Sequence, residues 1–254
     1  MERNSNPHGP GWEPYPLSMR IREWIEWLHE NAGVEGEVRD ALVGSIAQQC
    51  AALAAQIEYH LMGNHLLENG ITLCWAGLSL EGAEAAGWVE QGLKILREEL
   101  KRQVLGDGAH DERSPMYQAL IAEALLRLAG VAGGSKNRHG KAVQKAALGA
   151  GEAMMASLGC LVHPDGDYAL LNDCALRIAP QYAALRRRFW EKDRSWFVVL
   201  RWSITSRQVE HGNYRRPAIL AGGIGKALIL FSMPGPLVPI TSRATGTQTP
   251  SPLS

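Results

Sequence analysis

The order of apolar and polar residues divides the chain into a long helical region and a different C-terminal stretch. From Ser18 to about Ala175, apolar residues recur three and four positions apart, and the alternating runs typical of β-strands are scarce. This spacing predicts six amphipathic helices, at about Ser18–Leu28, Glu37–His60, Asn64–Leu80, Glu81–Val104, Pro115–Leu128 and His139–Gly159. The fold class is therefore predicted to be all-α.

Beyond about Leu185 neither pattern persists, and the last residues, ATGTQTPSPLS, are polar and of low complexity. We therefore expect an irregular segment over 1–17, a helical domain over 18–185, and an irregular, poorly ordered tail over 186–254. Successive amphipathic helices with short links favour antiparallel hairpins, which can build either an α/α toroid or a helical solenoid. The absence of a fixed-length repeat disfavours the solenoid.

The predicted starts of the third and fifth helices carry most of the polar residues that suggest chemistry. Ser114 and Pro115 have the residue types of an N-cap and a first helical position, which places Tyr117 in the first turn of the fifth helix. Asn64 and His65 open the third helix. Because one helix lies between them, two antiparallel steps bring both starts to the same rim, where positive helix ends suit a carboxylate or sulfate. The loop before the fifth helix adds three candidate substrate contacts: His110, Glu112 and Arg113.

Each candidate also has an ordinary structural interpretation. Asn64 has the residue type of a helix cap, and a lone histidine such as His65 is more often half-buried without a ligand. Tyr117 lies on the apolar face of its helix, as a core tyrosine does. Glu112 and Arg113 can form a solvated pair of little energetic value. Taken singly these interpretations are the commoner ones, and the shared rim is what favours a site.

The composition of the chain argues against several classes of binding partner and cofactor. The 26 basic residues balance the 26 acidic ones, which removes the general electrostatic argument for nucleic acid or an anionic membrane. The four cysteines are widely spaced and form no CxxC pair, so we expect no metal and no cofactor. The N-terminus lacks a signal-peptide pattern, and no apolar run approaches membrane-spanning length, so the chain as written is expected to be cytoplasmic. No HExxH, Walker A or GxSxG motif is present, and no second carboxylate obviously faces Asp111 or Glu112 as a glycosidase would need.

Four segments, in this order and spacing, resemble the heparinase II/III superfamily of heparin/heparan sulfate lyases and related alginate lyases. They are GWEPYPLSMRIREWIEW, HLMGNHLLENGITLCWAGL, LREELKRQVLGDGAHDERSPMYQALIAEALL and HPDGDYALLNDCALRIAP. The resemblance covers roughly Gly11 to Leu185. It implies an incomplete α/α toroid followed by a β-sandwich domain, and β-elimination at a uronic acid of an acidic polysaccharide. It further implies that Asn64 polarises the uronate carboxylate and that His65 is a base or a substrate contact. Tyr117 is implied to be the acid, with the role of base as an alternative for the same residue.

The C-terminal stretch departs from the family and suggests its own explanation. Permissible codons of residues 227–254, read in an offset frame, yield AYFVFDAGPLGPDYQPGHGHADTLSFE, which resembles the entry to the family's β-domain. We therefore expect a frameshift near Ala184 to Arg188.

The leading hypothesis is a truncated polysaccharide lyase, inactive or weakly active as written, which self-associates through exposed helix faces. The alternatives are a non-catalytic carbohydrate-binding or scaffold remnant, and a different toroidal sugar enzyme such as a hydrolase. Family members are often periplasmic or exported.

Overall fold

The computed structural model describes residues 9–34 and 36–189, and the backbone of residues 190–191 and 202–203. Within these residues, a 3-10 turn at Pro10–Trp12 leads into six long helices and a short seventh. They are α1 (Pro14–Glu30), α2 (Glu37–Ala55), α3 (Gly63–Ser79), α4 (Ala83–Gln103), α5 (Pro115–Gly134), α6 (Gly140–Leu158) and α7 (Tyr182–Arg186). A 3-10 turn at Gly159–Leu161 follows α6, and a π-helical turn at Arg187–Glu191 follows α7. The all-α prediction is confirmed.

The six long helices form three antiparallel hairpins, α1–α2, α3–α4 and α5–α6, arranged in two layers. Helices α1, α3 and α5 pack side by side in one layer, and α2, α4 and α6 cover them in the other. This architecture is an incomplete α/α toroid. Helix α3 is central, and every residue from Leu66 to Ser79 is buried.

Glycines allow the closest approach within the α3–α4 hairpin. A Cβ atom on Gly77 of α3 would lie 2.5 Å from the carbonyl oxygen of Ala85, and one on Gly92 of α4 would lie 2.7 Å from the backbone nitrogen of Cys74. Real Cβ atoms do not approach other atoms so closely, so these positions set the distance between the helix axes. The close approach therefore fixes the second half of α3 against the first half of α4.

Several helix limits differ from the sequence-based expectation. Helix α1 begins at Pro14, inside the segment 1–17 that was expected to be irregular, because proline suits the first helical position. Helix α2 ends at Ala55 instead of near His60, and the residues after it form a turn whose Ile57 still reaches the core. Apolar spacing alone did not reveal this end because a buried turn residue continues the pattern.

Little of the predicted tail is described. The backbone of β2 (Trp202–Ser203) pairs in parallel with β1 (Leu80–Glu81), at the end of α3. The expected disorder of 186–254 and the proposed offset frame concern residues that, apart from 186–191 and this pair, lie outside the described part of the chain. None of the helices in the described ranges is long and apolar enough to cross a membrane.

Candidate functional site

The start of α3 is shaped by two residues with left-handed backbone conformations. Met62 is the N-cap and Gly63 the first helical residue, each with φ of 57°, so Asn64 is the second residue of the helix and the interpretation of Asn64 as its cap is wrong. The backbone N–H of Asn64 donates to Oε1 of Glu112 at 3.0 Å. A Cβ atom on Gly63 would lie 2.8 Å from that same oxygen, so glycine is what admits the carboxylate. Glu112 therefore caps α3, and a protein carboxylate lies at its positive end.

His65 follows on the first turn of α3 and is held from two sides. Its Nδ1 lies 3.1 Å from Oε1 of Glu58, and its ring stacks on Tyr15 with centroids 4.5 Å apart and an interplanar angle of 26°. The His65 side chain remains 39% exposed. The imidazole is thus fixed in orientation and still reachable from solvent.

Tyr117, on the first turn of α5, lies near Tyr15. Burial raises the pKa of the Tyr15 hydroxyl, and the nearby Glu68 and Tyr117 raise it further. Tyr15 is therefore flanked by His65 and influenced by Tyr117. The contact between Glu112 and Asn64 brings the start of α3 next to the loop before α5, so Asn64, His65 and Tyr117 belong to neighbouring helix starts.

A buried ion pair lies behind this rim and joins α1 to α3. Nη1 of Arg22 is 2.7 Å from Oε2 of Glu68, and the two side chains are only 9% and 5% exposed. Burial raises the pKa of the Glu68 carboxyl, while Arg22 acts in the opposite direction. Two charges removed from water in this way are stable only as a pair.

Further pairs continue along the same layer. Arg127 of α5 pairs with Glu26 of α1 and lies over the ring of Trp75, with its guanidinium carbon 5.4 Å from the centroid. Nη1 of Arg188, in the turn after α7, lies 2.8 Å from Oε1 of Glu123 on α5. The α1–α3–α5 layer therefore carries several partly or fully buried ion pairs.

His110 is placed differently from the other candidates. It is fully buried, and its Nε2 donates to Oε1 of Gln103 at 3.0 Å, while Nε2 of Gln103 donates to the carbonyl oxygen of Gly63 at 2.7 Å. Burial lowers the pKa of His110, although Asp111 and Glu112 act to raise it. His110 thus links the loop before α5 to the start of α3, and a direct contact with substrate stays a prediction that its burial does not favour.

Arg113, Ser114 and Asn172 belong to the segments that border the candidate site. Arg113 is exposed and has a left-handed φ of 53°. Ser114 is the N-cap of α5 as predicted, but its side chain makes no capping hydrogen bond. Asn172, from the segment after α6, donates its side-chain amide to the carbonyl oxygen of Glu112 at 2.7 Å, so this later segment also reaches the rim.

Sequence reasoning missed five residues that build the site: Tyr15, Arg22, Glu58, Glu68 and Asn69. Tyr15 stood in the family-like segment GWEPYP, and Asn69 lies one helical turn after His65, a spacing that puts both on one face of α3. Glu58 gave no signal, because the predicted second helix was expected to run through it.

Comparisons with known proteins agree with this fold. The family model described as heparinase II/III N-terminus matches residues 2–192. A heparin-sulfate lyase of Pedobacter heparinus is 33% identical over 126 residues, covering 48% of this chain and 19% of that protein. One from Bacteroides thetaiotaomicron is 28% identical over 117 residues, covering 44% of this chain and 16% of that protein.

Solved structures show the same helical architecture. A crystal structure of heparinase III superposes with a TM-score of 0.59 at 20% identity, covering 75% of this chain and 30% of that one. A heparinase III gene product gives a TM-score of 0.53, also at 20% identity, over 71% of this chain and 28% of that one. The chain spans less than a fifth of the length of the curated relatives it matches. Its helical domain belongs to the heparinase II/III family, to which the match over residues 2–192 assigns it.

Proposed function

We propose that this chain forms the helical wall of a polysaccharide lyase that cleaves uronic-acid-containing polysaccharides by β-elimination. The observation that carries the proposal is the presence of Asn64, His65 and Tyr117 on one rim of a heparinase II/III-type domain. Relatives named heparin-sulfate lyases support a glycosaminoglycan as substrate. The resemblance to alginate lyases extends the substrate class to other acidic polysaccharides.

The chemistry needs three functions at one sugar. A base removes the proton α to the uronate carboxylate, and an acid protonates the departing glycosidic oxygen. The carboxylate must be neutralised first, since the carbanion would otherwise develop beside a full negative charge. We assign this neutralisation to the side-chain amide of Asn64, proton removal or substrate contact to His65, and the acid to Tyr117.

Accessibility supports these assignments. Neither the side-chain amide of Asn64 nor the hydroxyl of Tyr117 makes a hydrogen bond to another residue in the described ranges, and neither residue is buried. His65 offers an exposed edge. Arg113, exposed beside them, is suited to an acidic group of the chain of sugars.

We further propose that the chain as written is inactive or weakly active. The family resemblance implies a cleft completed by a β-sandwich domain, which supplies further active-site histidine. A second candidate function, a non-catalytic carbohydrate-binding scaffold, is favoured by one contact: the carboxylate of Glu112 already occupies the backbone amide of Asn64.

Product absorbance tests the proposal. The chain, and a version extended through the offset frame, are mixed with heparan sulfate, alginate and hyaluronan, and the absorbance of the unsaturated uronate is followed. We expect product from the extended chain, and Tyr117→Phe should lower its rate by about 100-fold or more, as for loss of a general acid. Tyr182→Phe, on α7, is the matched control. Full activity in Tyr117→Phe would refute the acid assignment, and binding without product from any version would favour the scaffold.

A further inference from the structure

The carboxylate of Glu58 is buried against the candidate site although it belongs to a surface turn. Glu58 is only 5% exposed. Its Oε1 lies 3.1 Å from Nδ1 of His65, and its Oε2 accepts from Nδ2 of Asn69 at 3.1 Å. Both oxygens of this buried carboxylate are therefore engaged by side chains of α3.

Asn69 fixes Glu58 in this position. Its Oδ1 accepts the backbone N–H of Glu58 at 3.1 Å, so its Nδ2 must be the group that faces the carboxylate. The same Nδ2 also lies 3.2 Å from Oγ of Ser18 on α1, and both Asn69 and Ser18 are fully buried. Backbone and side chain of Glu58 are thus clamped by one amide that has no alternative orientation.

The fixed position of the Glu58 carboxylate determines which ring nitrogen of His65 carries the hydrogen. A carboxylate oxygen accepts hydrogen bonds and has no proton to donate, so Nδ1 of the neutral imidazole must carry the hydrogen. Nε2 is then left with its lone pair. Stacking on Tyr15 holds the plane of the ring, and the edge that carries Nδ1 faces Glu58.

A second carboxylate lies nearby but does not compete for this role. Glu68 interacts electrostatically with His65, yet its own carboxylate is paired with Arg22 at 2.7 Å. Tyr15 of α1 stacks on the ring, and Tyr117 of α5 acts electrostatically on Tyr15. Among the residues that the structure describes, Glu58 is the carboxylate that meets a ring nitrogen of His65.

We propose that Glu58 is a positioning residue, held by Asn69, which fixes His65 in the Nδ1–H tautomer and leaves Nε2 as an acceptor at the rim. The catalytic meaning rests on the proposed lyase function. In that reaction the C–H bond α to the carboxylate breaks and its proton passes to Nε2. The electron pair forms the C=C bond as the glycosidic C–O bond breaks, and the leaving oxygen takes a proton from Tyr117.

Nitrogen NMR of the histidine-labelled chain tests the inference without any substrate. Spectra are recorded at about pH 8.5, well above the ordinary histidine pKa of ~6.5. His65→Gln assigns the signal. We expect Nδ1 of His65 in the protonated, pyrrole-like range and Nε2 in the unprotonated, pyridine-like range. Glu58→Leu, which removes the acceptor oxygens, should shift His65 towards the Nε2–H form that histidine prefers in water.

His29 is an internal reference in the same spectra. Its Nδ1 lies 2.7 Å from the carbonyl oxygen of Ile25, so its tautomer should not respond to Glu58. The inference is overturned if His65 of the unaltered chain is in the Nε2–H form, or if folded Glu58→Leu keeps Nδ1–H. Should Glu58→Leu not fold, the spectrum of the unaltered chain still decides. A failed lyase assay would leave this result intact, and a wrong tautomer would leave the proposed roles of Asn64 and Tyr117 standing.

Discussion

Replacing Arg22 should show how strongly the stability of the domain depends on the buried ion pair between Arg22 and Glu68. Arg22→Met keeps the length of the side chain and most of its apolar stem but leaves the carboxylate of Glu68 without its partner. At 2.7 Å and an effective dielectric constant of about 20, the attraction between the two charges is on the order of 6 kcal/mol. Desolvation of both groups offsets much of this attraction, so the pair itself contributes little net stability.

Breaking the pair is a different matter from replacing it. One buried charge left alone costs about 3–5 kcal/mol, so Arg22→Met should lower the free energy of unfolding by about that amount at neutral pH. The double variant Arg22→Met/Glu68→Met removes both charges and should recover most of the loss. The recovery is the signature of a buried pair, since a surface pair would give a small effect in each variant.

The deficit should depend on pH with a definite sign. Burial raises the pKa of Glu68, and Arg22 counteracts this effect, so the pKa is raised further when Arg22 is removed. A carboxyl whose folded pKa is raised has its full stability below the unfolded value of ~4.3 and loses it as the pH rises through the folded pKa. The difference between Arg22→Met and the unaltered chain should therefore be largest at neutral pH and shrink as the pH falls.

Urea unfolding followed by tryptophan fluorescence measures these differences, because Trp75 and Trp88 are buried. The three chains are compared at about pH 7.5 and again near pH 5, a range in which a raised carboxyl pKa takes effect. An unchanged midpoint for Arg22→Met, a deficit that does not vary with pH, or a double variant no better than the single one would each refute the reasoning.

Three further predictions concern stability in the same assay. His110→Asn should make the free energy of unfolding less dependent on pH below about pH 7. Burial lowers the folded pKa of His110, so the imidazole of the unfolded chain is protonated first as the pH falls. The unaltered chain therefore loses stability as the pH falls through ~6.5, and the variant should not. Glu112→Ala should cost about 0.5–2 kcal/mol because α3 loses its cap, with Glu112→Gln less affected. Gly77→Ala should lower the free energy of unfolding by about 1–3 kcal/mol, because the added methyl group pushes α3 away from α4. Gly87→Ala, whose added Cβ meets nothing within 4 Å, should instead stabilise the exposed face of α4 by about 0.5–1 kcal/mol.

Each of these has its contradicting result. An unchanged pH profile in His110→Asn would mean that the buried imidazole does not resist protonation. Equal stability of Glu112→Ala and the unaltered chain would mean that water satisfies the first turn of α3 equally well. A Gly77→Ala variant as stable as Gly87→Ala would contradict the close approach of α3 and α4.

The rim itself was predictable, because hairpin topology follows from helix order. Short links between successive helices imply that the third and fifth helices run in the same direction. Their first turns, which carry Asn64 and Tyr117, are then expected at the same end of the domain. The details depended on backbone conformations that apolar spacing does not encode. The left-handed residues Met62 and Gly63 shift the helix start and admit Glu112, so a residue expected to meet substrate also caps α3.

Burial separates the two histidines that looked alike in sequence. His65 follows a helix start and keeps an exposed edge, whereas His110 lies in a loop that folds beneath the rim onto Gln103. Nothing in the residue types distinguishes these outcomes. Glu58 was hidden for a related reason: its turn continues the apolar pattern of α2 through Ile57, so the end of the helix was placed too late.

The central position of α3 has a consequence for how the protein moves. Its amides from Leu66 onward are buried between neighbours on all sides and should exchange with solvent hydrogen only when the whole domain unfolds. The first turn of any helix, by contrast, has N–H groups without partners in the helix, and here it carries Asn64 and His65. The candidate site thus stands where the most deeply buried helix reaches the surface, so Asn64 and His65 are carried by an anchor that should open only with the whole domain.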